Sequence, residues 1–315
     1  MTGFSDAPTN SNTHGDQMRI VTRPDFDGVV CAVLISDALG IGQAVHWVEP
    51  NDFSKGSAGI QRGDIIANLP YHPACDMWFD HHSTNRIDRP FRGLFREAPS
   101  AARNVFEYFK DRFNRDYSEL VSWADRIDSA DFTRDEVLHP EKYDCVLLSM
   151  SVTGEAGRED AYWEQLVGML RVKDIASVMA HPEVAARCRD VVRRNSEYAG
   201  WLREYTRIEG GVAITDFRSL DPPPSGNRFL SYSLFPEAVV SVRIRFEDAT
   251  RQTVVVNIGH SIFNPNCNVH VGRLLAEFGG GGHSGAASVR FPAEMADGFL
   301  PAIIGALVRN QPDQR

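Results

Sequence analysis

The sequence has no CxxC pair and no even set of cysteines: its five, Cys31, Cys75, Cys145, Cys188 and Cys267, are scattered over 315 residues. That excludes a disulfide framework and a thiolate zinc site, leaving reduced, partly buried thiols. No run approaches the roughly eighteen apolar residues of a spanning helix, and residues 1–17 lack the apolar core of a signal peptide. A cytoplasmic protein with no membrane partner is expected. Positive charge is outnumbered, with a formal net charge of -9, so a stable complex with long nucleic acid built on phosphate neutralisation is excluded. Short anionic substrates held by a local metal and a few arginines are not. The glycine run near residue 280 lacks the lysine of a phosphate loop and the spacing of a dinucleotide fingerprint.

What remains is the composition of a globular enzyme, 43% hydrophobic, with length enough for two domains. Short β-prone runs at 19–22, 44–48, 64–69 and 76–79 alternate with loop or helical stretches, the first helix covering 29–39. This alternation predicts a mostly parallel sheet with helices on both faces. Ser100 is placed to cap a helix with Val105, Phe106 and Phe109 on its apolar side, and 117–129 continues helically with Asp125 and Asp128 three apart on one face. A helical stretch over 160–205, broken near His181-Pro182, reads as a connector. Strands at 212–215, 238–246, 253–258 and 286–289 and a helix at 269–278 then make a second sheet-containing domain. Residues 1–17 read as a loose polar arm.

Three clusters carry chemistry. Arg23-Pro24-Asp25-Phe26-Asp27-Gly28 follows the first strand, so two carboxylates two residues apart leave a tight strand-to-helix turn. A solvated acidic turn is the plain alternative. Asp80-His81-His82 follows the apolar run Met77-Trp78-Phe79, where an open α/β sheet presents ligands. Oxygen donors favour magnesium, manganese or calcium, and an added imidazole moves the preference toward manganese or another transition ion. In the second half, Phe278-Gly279-Gly280-Gly281-Gly282-His283 joins a predicted helix to a predicted strand. Its backbone N–H groups can curl around an anion, with His283 as a directed donor.

Asp25-Phe26-Asp27-Gly28, Asp80-His81-His82 and Trp123-Ala124-Asp125-Arg126-Ile127-Asp128-Ser129 together resemble the catalytic domain of the DHH phosphoesterase family, and Gly279 to His283 resembles the substrate motif of its associated C-terminal domain. The resemblance implies an α/β architecture: a parallel-sheet catalytic domain over 18–150, a helical connector over 151–208, and a smaller mixed-sheet substrate domain over 209–305, with a cleft between the two domains. It implies metal ligation by Asp25, Asp27 and His81, support or ligation by Asp80, phosphate contact by His82, and a further ligand from Asp125 or Asp128, with Asp125 preferred. Two positions depart from the family. Thr22-Arg23-Pro24 stands where a histidine is usual, and Asn68 where a metal-bridging aspartate is expected. Arginine cannot ligate a metal and asparagine offers a neutral oxygen, so one tight ion with a second recruited by substrate is expected, Arg23 holding a phosphoryl oxygen. Substrate contacts are expected from Arg23, His82, His260, Ser261, Gly280, Gly281, Gly282 and His283.

The expected activity is hydrolysis of a short oligonucleotide or linear dinucleotide by metal-activated water, with Mn2+ first and Mg2+ or another divalent ion as substitute. Asp27, Asp80, His81, His82 and Arg23 form the catalytic set. A phosphatase or phosphoanhydride hydrolase for nucleoside bisphosphate, pyrophosphate or polyphosphate is the first alternative, and a catalytically weak nucleotide sensor the second. A homodimer is compatible with all three.

Overall fold

In the computed structural model, residues 18–152 and 158–312 are described; the N-terminal arm of the sequence reading lies outside them. Contacts divide the chain into two units. One runs to Asp131 and takes in Asp144–Cys188, and the other joins Phe132–Tyr143 to Arg189 and all that follows.

The first unit contains β1 (Ile20–Thr22), α1 (Phe26–Leu39), β2 (His46–Trp47), α2 (Pro50–Ser54), β3 (Ile65–Ala67), β4 (Met77–Asp80), β5 (Gly93–Phe95), α3 (Ala101–Tyr108) and α4 (Ser118–Asp128). Its sheet has the order β2-β1-β3-β4-β5, with every pairing parallel. The strands are apolar on both faces because both are covered. On one face Phe79 packs against Tyr108 and Phe109 at the end of α3. On the other, Val21, Ile66 and Trp78 meet Phe53 of α2 and the loop residues Ile60, Tyr71 and Phe91. The helical cover of this face is the five-residue α2, completed by loops. Helix α1 is buried along its length from Phe26 to Ser36, as a helix apolar all round must be.

Beyond α4 the chain forms α5 (Arg134–Leu138), α6 (Asp144–Ser151), α7 (Asp160–Val172), α8 (Ile175–Met179) and α9 (Pro182–Tyr205). The expected break at His181-Pro182 is present. A second falls at Lys173-Asp174, where Asp174 caps α8 by accepting the Ser177 amide at 2.8 Å.

The second unit's sheet is mixed, as expected. It is built from β6 (Thr206–Glu209), β7 (Val212–Asp216), β8 (Val240–Phe246), β9 (Thr253–His260), β10 (Gly281–Gly282) and β11 (Ala286–Pro292), with α10 (Leu230–Leu234), α11 (Val271–Ala276) and α12 (Ala296–Arg309). The order is β10-β11-β9-β8-β7-β6, parallel only between β7 and β8. Val240, Val242 and Ile244 alternate into a core with Val254, Val256 and Ile258, closed by Leu275 of α11 and by Leu300, Ile303 and Leu307 of α12. No helix among the described residues is long and apolar enough to cross a membrane.

Candidate metal centre

The parallel register sets the site. Thr22 pairs with Ala67 and Ala67 with Phe79, so β1, β3 and β4 end at one level. The residues that follow, Arg23 to Asp27, Asn68, and Asp80 to His82, therefore leave the sheet along one edge. Gly28 lets the first of these turns close. A Cβ there would lie 1.9 Å from the Arg23 carbonyl oxygen and 2.9 Å from Thr22 Oγ1.

Asp27, in the first turn of α1, is 2% exposed. Its Oδ2 accepts the Ala101 amide at 2.9 Å and its Oδ1 the Ala102 amide at 2.8 Å, both from the start of α3. Burial pushes its pKa well above the carboxylate range, the neighbouring Asp128 and Asp25 push the same way, and the two amides oppose them. His81 lies opposite. Its Nδ1 is 2.9 Å from the Ala98 carbonyl oxygen. A carbonyl only accepts, so Nδ1 carries a proton and Nε2 is the ring nitrogen that can offer a lone pair to a metal. Nε2 is buried and makes no hydrogen bond, although Asp128 Oδ2 stands 3.2 Å away.

Among the described residues, ligand atoms of Asp27, His81 and Asp128 converge within 4.8 Å of one another. These residues fit a divalent ion: two carboxylates and an imidazole lone pair without a donor face one point, and a carbonyl holds the far side of the imidazole. Asp80, His81 and His82 converge equally, but both oxygens of Asp80, which is fully buried, are engaged. Oδ1 accepts from His82 Nδ1 at 2.8 Å and Oδ2 from Asn85 Nδ2 at 2.7 Å. The hydrogen bond to Asp80 raises the His82 pKa above its ordinary value.

Asp25 caps α1 instead. Its Oδ1 accepts the Gly28 amide at 2.8 Å and Asn68 Nδ2 at 3.0 Å, and its Oδ2 lies 3.1 Å from Arg23 Nε. Burial raises its pKa to about 6 against the pull of Arg23. Asn68 has φ 55, a left-handed conformation that asparagine tolerates, and its Oδ1 is buried without a partner. Asp125, the helix-borne ligand preferred from sequence, points elsewhere: it binds Ser100 and Arg103, and Asp128 is the residue that reaches His81. The i, i+3 spacing put both aspartates near one face, but the sequence did not expose the competing arginine.

Asn85, Ala98, Arg103 and Asn104 escaped the sequence reading. Asn104 Nδ2 ties the Asp80 carbonyl, at 2.9 Å, to the Arg96 carbonyl, at 2.7 Å. No spacing rule marks such backbone ties.

In the second unit, His260 Nε2 lies 3.0 Å from the Val269 carbonyl oxygen and its amide donates to the Gly285 carbonyl at 2.8 Å, bringing it to the glycine segment. Ser261 is 4% exposed and its Oγ accepts the amides of Phe263 and Asn264 at 3.3 and 3.1 Å. Gly281 and Gly282 form β10 against β11. At Gly282, with φ 150, a Cβ would fall 2.4 Å from the Ala286 carbonyl oxygen. The amides of Gly279, Gly280 and His283 already donate to backbone carbonyls, whereas the His283 side chain is exposed.

No family model matches the sequence, and no curated protein does. Solved structures do. The pGpG-specific phosphodiesterase PggH of Vibrio cholerae superposes with a TM-score of 0.82 at 29% identity, over 94% of this chain and 100% of that one. The DHH domain of a member of a ribosomal protein family gives 0.55 at 12% identity, over 94% and 88%. The exonuclease RecJ bound to manganese gives 0.54 at 14%, over 94% and 91%. At their identities the latter two speak to fold alone. The motifs, the acidic centre and the likeness to that phosphodiesterase support a DHH-type phosphoesterase. The chain is a metal-dependent hydrolytic enzyme of that type.

Proposed function

We propose that this enzyme hydrolyses the phosphodiester of a linear dinucleotide or very short oligonucleotide, with manganese preferred over magnesium. The observation that carries the substrate class is the near full-length likeness to a phosphodiesterase specific for pGpG. Asp27, His81 and Asp128 would hold the ion, and their mixed oxygen and nitrogen donors suit manganese better than an all-oxygen set. When bound, the ion supplies Lewis acidity toward water and phosphoryl oxygens.

The chain's own groups do the rest. Asp80 fixes the His82 ring through Nδ1 and favours its charged form, leaving Nε2–H as a donor to a phosphoryl oxygen. Arg23, held at Nε by Asp25 and 41% exposed, offers its remaining N–H groups to the same phosphoryl group. Asp25 and Asn68 are assigned support of this turn. Gly280, Gly281, Gly282, His260, Ser261 and His283 are assigned the nucleotide part of the substrate, with the exposed His283 imidazole as the directed donor.

Rates on linear dinucleotides, oligomers of about two to ten units, nucleoside 3',5'-bisphosphates, pyrophosphate and polyphosphate test the assignment, each with Mn2+ and with chelator. Fastest metal-dependent turnover of dinucleotides is expected. Preference for a bisphosphate, or for pyrophosphate or polyphosphate, would move the assignment to a phosphatase or phosphoanhydride hydrolase. A nucleotide sensor is the rival favoured by one observation, the engagement of Asp25 by Arg23 and Asn68. It would bind dinucleotide yet release no product with any divalent ion.

A further inference from the structure

The Asp125 carboxylate is bound on both oxygens by the helix that seats Asp27. Ser100 is completely buried, and its Oγ accepts the Arg103 amide at 3.0 Å as the cap of α3 while donating its own proton to Asp125 Oδ1 at 2.6 Å. Arg103 Nε donates to Asp125 Oδ2 at 2.9 Å, and Nη2 reaches the same oxygen. The two residues after Ser100, Ala101 and Ala102, are the ones whose amides hold Asp27. Three residues after Asp125 along α4 comes Asp128, which faces His81.

We infer that Asp125, Ser100 and Arg103 form a clamp that sets the separation of Asp27 and Asp128, making Asp125 a positioning residue and not a metal ligand. This rests on the metal-centre reading above. The clamp locks the start of α3 to the end of α4, and each helix carries one side of the site: α3 through two amides on Asp27, α4 through Asp128 itself. A charge-assisted contact with a buried hydroxyl as its second arm holds direction as well as distance. Losing either arm lets α4 turn or slide relative to the Asp27 seat. Fewer ligand atoms then meet at one point, and metal affinity falls before the fold does.

Titration calorimetry with Mn2+ on the full chain tests this, using Asp125→Asn, Ser100→Ala, Arg103→Lys, the Ser100→Ala/Asp125→Asn double variant and Asp128→Ala. Thermal melts with chelator present confirm that each is folded at the titration temperature. Outer contacts of this kind typically change metal affinity by about 10- to 100-fold. A loss in that range is expected for each clamp variant, with the double variant no weaker than the poorer single, kcat recovered by excess Mn2+, and KM for substrate unchanged at saturating metal. Asp128→Ala should bind no Mn2+. Two outcomes would overturn the clamp: loss of all binding in Asp125→Asn with Ser100→Ala and Arg103→Lys at wild-type affinity, which makes Asp125 a ligand, or wild-type affinity in every clamp variant. Wild-type protein that takes up no Mn2+ would instead refute the metal centre itself, and the clamp with it.

Discussion

The strand ends of the first unit and the glycine segment of the second treat their polar groups in opposite ways. At the strand ends of the first, His81 Nε2, Asn68 Oδ1 and Thr22 Oγ1 are buried without partners, and three acidic groups crowd each other. Around the glycine segment of the second, backbone amides and the Ser261 hydroxyl are satisfied within the fold. Unmet hydrogen-bonding capacity is costly in a buried place, and at the strand ends it coincides with converging ligand atoms. A glycine run, in contrast, is largely explained by how closely β10 lies on β11. The first unit therefore declares chemistry by its geometry, whereas the glycine segment of the second declares packing.

The largest effects should separate the units. Asp27→Ala and His81→Ala should lower kcat by on the order of 10³-fold, the upper end for removing one pre-arranged electrostatic group at a reacting centre. Circular dichroism should show both folded, and His283→Ala should keep wild-type Mn2+ affinity. Weak Mn2+ binding in His283→Ala would break the division of labour. His82→Gln comes next, with kcat down about 10²-fold, the low end for a group that moves or shares a proton at the phosphoryl centre. Unchanged kcat would remove His82 from the chemistry. A third effect concerns ion count. With Asp25 held by Arg23 and Asn68, anomalous scattering from Mn2+-soaked crystals should find one well-occupied site, at Asp27, His81 and Asp128. A second strong peak bridged by Asn68 would refute that reading.

The smallest effect is on stability and pH. Asp25 has a folded pKa of about 6 against an ordinary 3.8. A carboxyl whose folded pKa is raised stabilises the fold fully below its unfolded value and loses that contribution as pH rises through its folded value. The raised His82 pKa acts in the same direction, its stabilisation fading above the ordinary 6.5. Protein in chelator should therefore melt at lower temperature at pH 7 than at pH 5, and Mn2+ should reverse the trend at pH 7. A melting temperature that rises over this range without metal would contradict the sign, and Asp25→Asn should flatten it.

Much of this was legible from sequence. Apolar runs closing on acidic residues located β1 and β4, and the Ser100 cap was visible because serine before an apolar helix has few other uses. β5 escaped, being three half-buried residues behind Pro90 that owe their pairing to Trp78 and Phe79 on the neighbouring strand. α12 escaped because Pro301 interrupts its pattern, yet burial of Leu300, Ile303 and Leu307 overrides the missing amide. The choice between Asp125 and Asp128 turned on Arg103, 22 residues from Asp125 in the chain. Short spacings predict which side chains share a face; they do not reveal which one a distant cation has already claimed.

Gly28 has a consequence for how this protein tolerates variation. It brings no side chain to the site, yet a single methyl there would collide with the Arg23 carbonyl and push apart the turn that delivers Asp25 and Asp27. A screen of random variants scored by survival should find position 28 as closed to substitution as Asp27. Intolerance alone thus fails to separate a group that acts from the empty volume that lets it arrive, and Gly28→Ala, inactive although every candidate ligand residue is retained, is the variant that would show the difference.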